Sequence, residues 1–212
     1  MRLMPLWVVC LAALATAPVF ASFTGLLIIP TAETVGADQY SLQVDANGQV
    51  RRSAFNGWLL NSQFGFGDRL EAGADYDLSS DAGQGARFLL NWKYLTLVDN
   101  RHRLYAAIGH FNAHPQHSPT PYLVISWDPG AVRLHSGLQR GDGHVEWLVG
   151  IDRSFDRLTL MADYTQGAGN SASAGFGYRL SDAVDLSAGL LFPNDGSGMG
   201  FTIQLSVRGN YR

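Results

Sequence analysis

Histidines, serines and paired carboxylates are the side chains of this sequence that could do chemistry, and they fall into three groupings. His110, His114 and His117, with Pro115 among them, have the residue type of a metal site. Metal ligands, however, are held by second-shell partners, and this stretch has no cysteine and no nearby carboxylate. His135 and Ser136 set a base beside a nucleophile. Consecutive residues of a strand point to opposite faces, so the two cannot act as a dyad, whereas Glu146 or Asp152 on a neighbouring strand could pair with His135 as a luminal ion pair. Asp75 and Asp77 share a face and suit a solvated wall better than acid/base work. Gly65-Phe66-Gly67-Asp68 reads as a hairpin turn and not as a phosphate loop. No catalytic residue, metal site or cofactor is expected from these groupings.

The elements carrying these residues show alternation with period two, interrupted by Gly, Pro, Asp, Ser and Asn. Twelve strands are predicted, at 39–47, 56–66, 69–78, 86–95, 103–111, 121–127, 131–139, 144–153, 158–164, 171–180, 183–192 and 199–208. In most of them the faces separate chemically. Leu70, Ala72, Ala74, Tyr76 and Leu78 oppose Glu71, Gly73, Asp75 and Asp77, and Val145, Trp147, Val149 and Ile151 oppose Glu146, Gly150 and Asp152. The fifth and sixth strands are apolar on both faces, and their orientation stays open. The connections 67–68, 128–130, 154–157 and 181–182 are short, while most of those between them are long; 96–102 and 140–143 depart from this pattern.

Alternation fits either a soluble barrel with apolar residues inside or a membrane barrel with apolar residues facing lipid. Four features favour the membrane. The first 21 residues have a secretory layout, with Arg2, an apolar run and Val19-Phe20-Ala21, and predict cleavage after Ala21. The only cysteine, Cys10, lies inside that run, so the remainder has none. The strand count is even, with short and long connections alternating. Aromatics gather toward strand ends: Trp58, Phe64, Phe66, Tyr76, Trp92, Tyr94, Phe111, Trp127, Tyr164, Tyr178 and Phe192 are girdle candidates. The expected fold is all-β, a single antiparallel transmembrane barrel at 39–212 after a lead-in or plug at 22–38. Its lumen wall is expected to carry Asp45, Glu71, Asp75, Glu146, Asp152, Asp163 and Asp185 against Arg87, Lys93, Arg133, Arg179 and Arg208, with His135 beside them.

The composition agrees with this. The 212 residues are 46% hydrophobic and 16% charged, with 24 glycines scattered among aromatic and β-branched residues, which excludes a disordered or collagen-like chain. Removing Arg2 leaves 14 of the 15 basic residues against 18 acidic ones, a net charge of −4, so a nucleic-acid partner is not expected.

The stretch before the first strand, Thr24-Gly25-Leu26-Leu27-Ile28-Ile29-Pro30-Thr31-Ala32, is more apolar than a simple tail requires. It resembles the opening of the YjbH-like outer-membrane proteins, which implies a β-barrel associated with exopolysaccharide production and export. Leu26, Leu27, Pro30 and Thr31 are the plug candidates; an extended lead-in or an extra strand would use the same residues. The expected partners are outer-membrane lipid, the barrel-assembly machinery and export or envelope proteins. Three functions stay open: a non-enzymatic channel or export component, an outer-membrane enzyme acting on lipid or envelope polymer, and a soluble periplasmic ligand-binding barrel.

Overall fold

The computed structural model describes residues 25–52, 54–78, 87–114, 119–141 and 143–212. The leader at 1–21 and His117 lie outside the described residues. Twelve strands form one closed antiparallel barrel in which each strand pairs with its neighbours in sequence and β1 closes on β12. They are β1 (Gln39–Gln49), β2 (Ala54–Phe66), β3 (Leu70–Asp77), β4 (Arg87–Asp99), β5 (Leu104–Ala113), β6 (Thr120–Trp127), β7 (Arg133–Gly141), β8 (His144–Phe155), β9 (Leu158–Thr165), β10 (Ser171–Arg179), β11 (Val184–Pro193) and β12 (Gly200–Asn210).

The barrel has the inverse of a soluble protein's surface. Val145, Trp147, Val149 and Ile151 of β8 stand exposed on the outside, the first at 65%. Their alternates Leu148 and Asp152 are buried inside, and the same alternation runs through β1, β6 and β12. Apolar side chains out and polar ones in is the arrangement of a barrel solvated by lipid. Together with the closed topology, it makes this chain an outer-membrane β-barrel.

Three local expectations change. The connection expected at 96–102 shrinks to 100–103 because β4 runs on to Asp99, past a register shift between Leu95 and Leu97. All connections on that side of the barrel are therefore tight. Gly65 and Phe66 belong to β2, and the turn begins at Gly67, whose φ of 62° suits glycine. Among the girdle candidates, Phe111 turns inward, its ring 5.4 Å from that of Tyr122, and Trp92 is half-buried edge-on against His110. The inward turn follows from β5, where Ala107 and Gly109 are buried on the same side while Ile108 is exposed.

At the tight-turn end the chain is fastened to itself. Tyr211 donates its hydroxyl to the Gly65 carbonyl (2.5 Å) and its amide to that of Asp38 (2.9 Å), while its ring packs edge-on against Phe64.

The lipid-facing assignment of β8 gives a direct expectation. Val149→Arg, at the middle of that strand, is expected to cost about 2–4 kcal/mol in the unfolding free energy measured in lipid vesicles. A neutral effect would mean that this face does not meet hydrocarbon.

Candidate functional site: the occupied lumen

The segment before β1 runs inside the barrel. It passes β2 at the tight-turn rim, where Gly65 leaves room: a β-carbon there would lie 2.0 Å from the Gly36 carbonyl oxygen and 2.5 Å from that of Val35. It ends, among the described residues, in a turn at mid-lumen, where Gly25 bridges Pro30 and the Leu26 amide donates to the Ile29 carbonyl (2.9 Å). Leu26, Leu27 and Ile29 pack against Leu148 of β8 and Met161 of β9. Gly189 of β11 is a further close approach, since a β-carbon there would meet a Leu27 methyl at 2.3 Å. Lower down, Ala32 packs with Leu95, Ala107, Tyr122 and Val124. Full burial of a side chain such as Ile29, 1% exposed, contributes roughly 1.5–3 kcal/mol.

An irregular segment outside the strand ladder has backbone groups to satisfy, and side chains of the wall satisfy many of them. Asp163 accepts from the amides of Leu27 (2.9 Å) and Ile28 (3.2 Å) and from the Ser173 hydroxyl. Ser126 accepts from Ala32 (2.9 Å), and Glu71 from Val35 (2.8 Å). In the other direction Lys93 donates to the Glu33 carbonyl (2.8 Å) and Gln204 to that of Leu27 (3.2 Å). Thr31 is buried, whereas Pro30 is half-buried at the turn.

One network ties two adjacent residues of the segment together through the wall. Ser126 and His135 are register partners on β6 and β7, and Arg133 and Asp152 on β7 and β8. Ser126 Oγ lies 2.7 Å from His135 Nδ1, and His135 Nε2 lies 2.8 Å from Asp152 Oδ1. Arg133 donates to both oxygens of Asp152 and, through Nη1, to Glu33 (2.7 Å). A neutral His135 protonated on Nε2 satisfies every partner. The chain of bonds thus leaves the segment at Ala32 and returns at Glu33.

Serine, histidine and aspartate here have the composition of a hydrolytic triad. The Ser126 hydroxyl, however, already holds the Ala32 amide, and the three residues are no more than 2% exposed. In this arrangement the buried serine holds the segment.

The other wall residues sort by height. Glu71 pairs with Lys93 (3.4 Å), and both are buried. Asp75 accepts from Asn61. Glu146 accepts from Gln139 (2.8 Å), away from the segment. Asp185 holds Arg208 at 2.7 Å and Arg179 at 4.0 Å near the tight-turn end. Arg87 begins β4 opposite Asp77, and its side chain lies outside the described residues. Among the described residues no group of His, Cys, Asp and Glu could hold a metal ion. His110 packs against Trp92, and His114 follows the end of β5.

Glu33 and Ser126 went unrecognised in the sequence as parts of this site. Ser126 shares the inner parity of Tyr122 and Val124, but that parity is unreadable in a strand apolar on both faces.

No protein-family model matches the chain, and no curated relative does. Among solved structures it is similar to the NanC porin, with a TM-score of 0.53 at 8% identity over 82% of this chain and 100% of that one. It is also similar to a triple mutant of the Rhodopseudomonas blastica porin (TM-score 0.42, 8% identity, 74% of this chain and 56% of that one). A loop-deletion mutant of OmpT, an outer membrane protein of Vibrio cholerae, gives 0.33 at 10% identity over 81% and 98%. The likeness to NanC is one of fold.

Hydrogen exchange reads the docking directly. The amides of Leu27, Ile28, Ala32 and Val35 are expected to be protected in the intact protein. Asp163→Ala, which leaves two amides without their acceptor at about 1–3 kcal/mol, is expected to lower protection at Leu27 and Ile28 by about tenfold or more. Equal protection in the variant would mean that Asp163 does not hold the segment.

Proposed function

We propose that this protein is a non-enzymatic channel of the outer membrane, closed by its own N-terminal segment. The observation that carries this reading is the segment at 25–35, packed in the lumen and bonded by its backbone to Asp163, Ser126, Glu71, Lys93 and Gln204. A segment held mainly by side-chain bonds, outside the strand ladder, can leave while the barrel keeps its own hydrogen bonds. Residues 22–38 then form a plug and 39–212 the pore, made after removal of a signal peptide at 1–21. The resemblance of 24–32 to the opening of the YjbH-like proteins supports exopolysaccharide export as the specific task. Its partners on this reading are the surrounding lipid, the barrel-assembly machinery and export or envelope components.

An outer-membrane enzyme acting on lipid or envelope polymer is the second reading, favoured by the Ser126–His135–Asp152 constellation. Release of the segment would free the Ser126 hydroxyl.

Planar-bilayer recording tests the first reading. The intact barrel is expected to give small or no current steps, and the variant lacking 22–38 clearly larger ones. A shortened variant that shows heat-modifiable gel migration, and so is folded, yet conducts no better than the intact barrel would overturn the channel. Covalent labelling of its Ser126 by a fluorophosphonate would favour the enzyme.

A further inference from the structure

The segment fills only part of the lumen. Between its 25–30 turn and the wall lies a cavity of about 190 Å³. The cavity wall runs over β12, β1, β2, β3 and β4 and on to Phe111 of β5 and Tyr122 of β6, and its β1–β3 part differs from the apolar wall that receives the segment. Gln43, Asp45, Asn61, Gln63 and Asp75 are all buried there, none more than 8% exposed. They are neighbours by register: Gln43 stands opposite Asn61, Asn61 opposite Asp75, and Asp45 opposite Gln204 of β12.

The hydrogen-bonding capacity of this cluster is one-sided. Gln43 Nε2 donates to Asp45 (2.7 Å) and Asn61 Nδ2 donates to Asp75, so one donor of each of these amides is turned to a carboxylate. Asn61 Oδ1 and Gln63 Oε1 are buried acceptors with no hydrogen-bond partner among the described residues, and both side chains line the cavity. Turning the Asn61 amide over would set its oxygen against the Asp75 carboxylate and so cures nothing. Lys93 of β4 lines the same cavity, where its ammonium is engaged by Glu71 and the Glu33 carbonyl. Two carboxylates and two unmet acceptors therefore face one space.

We infer that this cavity is a binding site for a small organic cation of the ammonium or guanidinium kind, held by Asp45 and Asp75 with the Asn61 and Gln63 oxygens as further acceptors. Such a ligand brings positive charge and donors only, which is what the cluster lacks. A neutral polyol brings as many acceptors as donors and leaves both carboxylates uncompensated. The inward rings of Phe111 and Tyr122 border the same cavity and offer faces to a cation or its methylenes. The two carboxylates sit two strands apart and two residues out of register, about 12 Å at the backbone, and both line the one cavity, where a short diamine can bridge them. The site is present in the closed barrel, so its occupancy does not depend on whether the barrel conducts.

Isothermal titration of the full-length barrel in zwitterionic detergent at low salt tests this, with putrescine as ligand and 1,4-butanediol as its uncharged counterpart of the same length. Saturable one-to-one binding of putrescine is expected, with none of the diol. Asp45→Asn combined with Asp75→Asn, nearly isosteric and checked for folding by heat-modifiable migration, is expected to weaken binding at least about tenfold, the effect of losing a charge-assisted contact. Asp195→Asn, in an exposed turn, is expected to leave it unchanged. Three results would overturn the inference: no saturable putrescine binding, equal binding by the double variant, or equal binding of the diol. A barrel that binds putrescine but never conducts would keep this site and remove the channel.

Discussion

Backbone amides inside a lumen have no strand to pair with, and the organisation of this barrel follows from how they are met. Leaving such groups unpaired costs about 1–3 kcal/mol each, enough to expel a short segment. Here the wall supplies a carboxylate or hydroxyl where the segment has an amide, and an ammonium or amide where it has a carbonyl. Asp163, Glu71, Lys93 and Arg133 of the inner wall are thereby tied to a covalent part of the same chain. Charge pairs across an empty lumen would leave these backbone groups unmet.

The wall is divided accordingly. Where the segment docks, the inner faces of β5, β6, β8 and β9 carry apolar side chains such as Ala107, Val124, Leu148 and Met161. Gly189 of β11 lets Leu27 approach closely, as Gly65 of β2 does for Val35 and Gly36 at the tight-turn rim. On the opposite side, β1, β2 and β3 keep a dense polar face with Gln43, Asp45, Asn61, Gln63 and Asp75. The barrel thus has two interiors, one built like a protein core and one like a binding cleft. The Arg133–Asp152–His135–Ser126 network belongs to the first, because both of its ends close on the segment.

This division also explains what was legible in the sequence. Period-two alternation places strands wherever one face meets lipid and the other meets polar groups, as in β3 and β8. It fails at β5 and β6, where the inner face is apolar because Ala32 lies against it. The parity of Arg133 and Asp152, and so their shared wall, could be read from alternation. Ser126 and Glu33 could not, since each owes its role to contact between the segment and strands about 100 positions away, a distance that no local pattern spans. The extension of β4 to Asp99 was hidden for another reason, as its register shift breaks the alternation that would have marked it.

The segment before β1 lies in the lumen against the wall, and a cross-link reports that position. Leu27→Cys and Gly189→Cys place one thiol on the segment and one on β11, in a chain whose only other cysteine is Cys10. Oxidation of the folded barrel is expected to join them, so that neither thiol reacts with maleimide until a reductant is added. Two thiols that stay free and modifiable in the folded barrel under oxidant would place the segment elsewhere.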